Sequence, residues 1–93
     1  MSNKTMSYDE RMVLEYYRND NLDGVIMQLG VCTCIQFHKT KGSLRKGQIL
    51  FNVAYDFFPE EVDKIRGTDI DCFYKDEKQE EFLKELKKLL RKE

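Results

Sequence analysis

The 93-residue chain contains no tryptophan, one proline, one histidine and an odd three cysteines. A single proline and five scattered glycines leave no Pro- or Gly-rich linker, and no repeat or low-complexity tract marks a domain boundary. One histidine, with no Gly-x-Ser-x-Gly, Walker or dinucleotide-binding motif, leaves no recognisable catalytic signature, so no enzyme and no cofactor are expected. No apolar run reaches the length of a membrane span. The N-terminal residues lead into Asp9, Glu10 and Arg11 rather than an apolar segment with a cleavage site, so a soluble, unsecreted chain is expected. Cys32, Cys34 and Cys72 cannot form a closed disulfide framework, which makes a reducing cytoplasm the expected compartment, and without a spanning run no membrane partner is expected.

What remains is enough to fold. At 41% hydrophobic and 35% charged, the chain is too apolar and too near neutral for disorder, and 11.1 kDa holds one hydrophobic core, so residues 1–93 form a single small domain. The formal charge of −1 rules out a uniformly basic nucleic-acid surface, so any charge-based function is regional.

Three helices are legible. Ser7 and Glu10 have capping-box spacing, and Met12, Val13, Tyr16 and Tyr17 follow at helical intervals before Asn19-Asp20-Asn21, predicting a helix over 8–18. Pro59-Glu60-Glu61 with Gly67 brackets a short helix over about 60–66, with Val62 and Ile65 facing inward. Phe82, Leu83, Leu86, Leu89 and Leu90 make an apolar stripe over 77–91, with Asp76 and Gln79 placed as its capping box.

The middle matches two templates. From Val25 to Phe37 the odd positions alternate as a strand does, while Leu22, Val25, Ile26 and Leu29 fit a helix ending at Gly30. Ile49, Phe51, Val53, Tyr55 and Phe57 also alternate, yet Gln48, Asn52 and Asp56 form a helical polar stripe, and Ser43 stands where a cap belongs. Alternation slightly favours a hairpin turned at Thr40-Lys41-Gly42-Ser43.

Gly47-Gln48, Asn52, Pro59-Glu60, Arg66-Gly67-Thr68-Asp69, Asp71, Phe73-Tyr74, Asp76 and Phe82 form a pattern. On these residues the half from Gly47 onward resembles a type of small open reading frame of bacteriophages and prophages. The resemblance implies that the Gly-Gln segment opens a helix, the Pro-Glu segment opens another, and the Asp-x-Asp-x-Phe-Tyr loop precedes a closing helix. It makes 44–57 helical and brings no assigned activity. Cys72 stands where the pattern leads one to expect proline.

The expected fold is therefore α+β and helix-dominated: an N-terminal helix, a short extended element within 25–39, and three C-terminal helices. A lone strand would need a partner strand in this chain or in a homodimer. The alternative is all-α with a helix-turn-helix on residues 22–39, turning at Leu29-Gly30-Val31 and reading DNA with Thr33 to Lys39.

Charge supplies the site candidates. No acid occurs from Gly24 to Tyr55, where Lys39, Lys41, Arg45 and Lys46 form a basic patch able to contact phosphates or to pair with the chain's own acids. Asp56 to Glu81 carries ten acids against four cations. Within it, Asp69, Asp71, Phe73, Tyr74 and Asp76 have the composition of an acidic recognition loop, and Asp69 with Asp71 are expected to be dispensable for stability. Phe73 and Tyr74 serve equally as plugs holding the last helix. Cys32, Cys34, His38 and Cys72 are a weak metal set, because one residue between paired cysteines departs from the usual zinc spacing. Cys72 with His38 could serve as a nucleophile-base pair, and Asp69, Asp71 and Asp76 lack the ligand spacing of a calcium loop. The function these features suggest is a non-enzymatic, phage- or prophage-encoded regulator or inhibitor that binds a host macromolecule. A host protein is the expected partner, and nucleic acid is the alternative.

Overall fold

The computed structural model describes residues 7–91, and among them the architecture is all-helical: α1 Tyr8–Arg18, α2 Leu22–Lys39, α3 Lys46–Phe57, α4 Pro59–Ile65 and α5 Gln79–Leu90, with a 3-10 turn at Asp76–Lys78. The expected α+β class is overturned, since no strand occurs among the described residues, and the all-α alternative fits. No helix among them is long and apolar enough to cross a membrane.

The capping box of α1 forms as the spacing requires. Glu10 N–H donates to Ser7 Oγ and Ser7 N–H donates to Glu10 Oε1 at 3.0 Å. Asp20, at φ 60°, turns the chain into α2, whose first turn is capped by Asn21 Oδ1 accepting from Gly24 N–H. Gly24 lies against the Tyr16 ring so closely that a Cβ would sit 2.7 Å from it, and this fixes how α1 crosses α2.

The extended element within 25–39 does not exist, because α2 runs unbroken through it. The alternation misled because Met27 and Val31, two members of the apolar odd series, face solvent, while Val25, Gln28, Leu29, Cys32 and Thr33 are buried at helical spacing. Helix wins because every backbone bond closes within the segment, whereas a strand here would find no partner strand. The two polar members of the buried face are satisfied: Thr33 Oγ1 donates to Leu29 O, and Gln28 Nε2 donates to Asp9 Oδ1 on α1. The same continuity removes the helix-turn-helix template, since no turn interrupts Leu29-Gly30-Val31.

Lys41 and Gly42, both at positive φ, reverse the chain between α2 and α3. Helix α3 buries Ile49, Leu50, Val53 and Ala54 and turns Asn52 and Asp56 outward, as the polar stripe indicates. Ser43 does not cap it; Arg45 occupies the N-cap without a side-chain cap of its own. Pro59 opens α4, which buries Val62 and Ile65, and α5 buries Phe82, Leu86 and Leu90 against them. Helix α2 thus lies between α1 and α3 and also touches α5, forming the spine of one core from Val13 to Leu90.

Candidate functional site

An open groove of about 440 Å³ lies between α3 and the loop that joins α4 to α5, lined by Phe51, Asn52, Tyr55, Arg66, Asp71, Phe73 and Tyr74. Phe51 and Tyr55, one turn apart on α3, stack at 6.3 Å with their planes 7° apart. Phe73 meets Phe51 edge-on at 5.5 Å, and Tyr74 meets Phe73 edge-on at 4.7 Å. The Arg66 guanidinium lies 5.0 Å from the Tyr55 ring centre and 5.7 Å from that of Phe51, and it also pairs with Asp63.

The loop is held at several points. Asp71 accepts from Gly67 N–H at 2.7 Å and from Phe73 N–H at 2.9 Å, which makes it the organiser of the turn rather than a free acid. These two bonds count against the expectation that Asp71 is dispensable for stability. The Cys72 thiol, fully buried, donates to Gly47 O, and Arg45 Nη2 donates to Phe73 O at 2.7 Å. Asp76 does not form the expected capping box with Gln79. Its carboxylate caps α3 instead, accepting from Gly47 N–H at 3.0 Å with Arg45 Nε at 3.7 Å, and Gln79 Nε2 donates to the Asp76 carbonyl.

The residues of the proposed recognition loop therefore separate. Asp71, Phe73 and Tyr74 line the groove; Asp76 lies under the start of α3; Asp69 is exposed and is not among the lining residues. Phe73 is half-buried against the core, while Tyr74 keeps 76% of its surface exposed. The basic patch also divides. Arg45 is engaged by the loop, Lys46 Nζ lies 5.1 Å from the Phe37 ring centre, and Lys39 and Lys41 are exposed at the end of α2 and in the turn after it.

The cysteines do not converge. Two residues apart on a helix means about 200° of rotation, so Cys32 faces the core while Cys34 faces solvent, and no group of three or more metal-ligating side chains gathers among the described residues. Burial, with the carboxylates of Glu10 and Asp9 adding to it, pushes the Cys32 thiol up to about 11. Burial and the neighbouring Asp71 push Cys72 up to about 12, so both thiols stay protonated near neutral pH. Exposed His38, at the end of α2, has no thiolate to serve in buried Cys72.

Comparison with protein-family models, with curated proteins and with solved structures finds no match. Four groove residues lie outside the recognition loop read from sequence: Phe51, Asn52, Tyr55 and Arg66. Two of them, Asn52 and Arg66, belong to the residue pattern that starts at Gly47 in the sequence. The i, i+4 spacing of Phe51 and Tyr55 becomes visible as a shared face only once α3 is known to be a helix.

Proposed function

We propose that this chain is a non-enzymatic binding module, phage- or prophage-encoded and cytoplasmic, that docks on a basic segment of a host protein through the α3–loop groove and so modulates that protein. The observation that carries this reading is Tyr74. It is an aromatic side chain left 76% exposed, yet it is held edge-on to Phe73 in a loop pinned by Asp71, Cys72 and Arg45. A rigid exposed aromatic loses little conformational freedom on binding, which is the property of an interface anchor.

Charge selects the partner. The 56–81 region has a formal charge of −6, from ten acids and four cations, and so attracts a basic surface. Arg66 over Tyr55 and Phe51 supports the same chemistry, because these ring faces already hold a guanidinium. An arginine or lysine side chain of the partner would extend that arrangement onto Tyr74. Asn52, exposed on the groove wall, supplies an amide for the partner's backbone.

The test compares capture of bacterial host proteins by the wild-type chain and by Tyr74→Ala, with melting followed in parallel. A protein retained by wild type should lose at least about tenfold in affinity, or about 1.4 kcal/mol, on Tyr74→Ala at unchanged melting, and should be released by salt. Equal capture by both overturns the groove. A salt-sensitive shift of a DNA duplex that is lost on joint replacement of Lys39 and Lys41 by alanine replaces this reading with DNA binding.

A further inference from the structure

Helix α2 carries an exposed face that none of the other helices covers, made of Met27, Val31 and Cys34 with Asp23 at one end and His38 at the other. Met27 is 57% and Val31 37% exposed, and they are two of the four large hydrophobic or aromatic side chains left exposed among the described residues. No charged residue lies between Asp23 and Lys39, so the face is uncharged over its whole middle. A helix that is apolar all round is normally buried all round, and α2 is covered by α1, α3 and α5 on its other sides only.

Set against a second copy running in the opposite direction, this face places its acidic end opposite its basic end. With the two-fold axis between Gly30 and Val31, Met27 meets the partner copy's Cys34. Asp23 meets His38 beside Lys39, and Gly30 meets Val31. Each end then brings the Asp23 carboxylate toward the partner copy's Lys39 ammonium, and the two helix dipoles run antiparallel. At the centre Gly30 has open space where a Cβ would be, which admits close approach of the partner's Val31. Asp23 pairs with Lys87 in its own chain while its side chain stays 85% exposed, so it remains accessible to the second copy.

We infer that the α2 face is the self-association surface of this protein, pairing two copies antiparallel about Gly30 and Val31. The surface is a single helix stripe of about 27 Å, so the dimer is reversible and dissociates on dilution.

Sedimentation equilibrium of the full chain under reducing conditions, from about 10 µM to about 1 mM, tests it. The average mass should rise from 11.1 kDa toward about 22 kDa, twice the chain, and Val31→Glu should hold it at the monomer value with its melting unchanged at low concentration. A chain that stays monomeric at about 1 mM, or a dimer untouched by Val31→Glu, overturns the surface. The register has its own readout. With copper phenanthroline as oxidant, Met27→Cys should give a covalent dimer that disappears when Cys34→Ser is added. The wild-type Cys34 pair, offset by seven residues or about 10 Å, should not cross-link. Failure of the new thiol to trap Cys34 in a proven dimer overturns the antiparallel register.

Discussion

The Asp76 carboxylate accepts a hydrogen bond from the backbone N–H of Gly47 at 3.0 Å, so the first turn of α3 is capped by a residue 29 positions further along the chain. The N-cap residue itself, Arg45, offers no acceptor and instead pairs with the same carboxylate. Removing a cap costs about 1 kcal/mol, so Asp76→Ala should lower unfolding free energy by that amount and the melting temperature by about 4–8 °C. Asp76→Asn keeps an oxygen acceptor and should lose less. Thermal and urea unfolding of both variants check this; equal melting of wild type and Asp76→Ala would remove the cap from the account.

Gly47 and Gly30 should respond oppositely to the same substitution. Both lie inside helices, where alanine is ordinarily favoured over glycine by about 1 kcal/mol. A Cβ on Gly47 would stand 2.3 Å from the Cys72 carbonyl oxygen, a backbone atom that cannot move without dislodging the loop, whereas a Cβ on Gly30 meets nothing within 4 Å. Gly47→Ala should therefore destabilise by about 2 kcal/mol or more, and Gly30→Ala should stabilise by about 0.5–1 kcal/mol. Urea denaturation at low micromolar concentration, where self-association contributes nothing, separates the two.

The thiols give a pH dependence with a definite sign. Cysteine ordinarily ionises near 9.0, and burial pushes Cys32 up to about 11 and Cys72 up to about 12. Between those values the folded chain keeps protons that the unfolded chain has released. Their stabilising effect is therefore intact below pH 9 and declines as pH rises from 9 toward 12. Urea midpoints should fall from pH 8 to pH 10.5, and less steeply in Cys72→Ala than in wild type. At pH 8 a thiol reagent should modify Cys34 alone in the native chain and all three cysteines in denaturant. Three equally fast thiols would contradict the burial.

The 8–18 helix was legible because its signals are local: Ser7 and Glu10 satisfy each other within one turn, whatever the rest of the chain does. Val62 and Ile65, and the Phe82–Leu86–Leu90 stripe, were legible for a related reason, since a short amphipathic helix has one apolar face to bury. Asp76 shows the limit. Its spacing to Gln79 is that of a capping box, yet its carboxylate accepts from the Gly47 N–H 29 residues away rather than from the nearby Gln79 N–H.

Residues by themselves determined the N-terminal cap, the helix opened by Pro59, the apolar stripe of α5 and the segregation of acid from base. They could not determine α2, because a segment apolar on nearly every side satisfies period 2 and period 3.6 alike, and its state depends on which neighbours arrive to cover it. Tertiary structure decided that question when α1, α3 and α5 closed on Val25, Leu29 and Cys32 and left Met27 and Val31 outside. It also decided the groove. Phe51, Tyr55, Arg66 and Tyr74 come from α3 and from the loop after α4, and nothing local to either segment records that Cys72 and Asp76 bind the backbone of Gly47 and so bring them together.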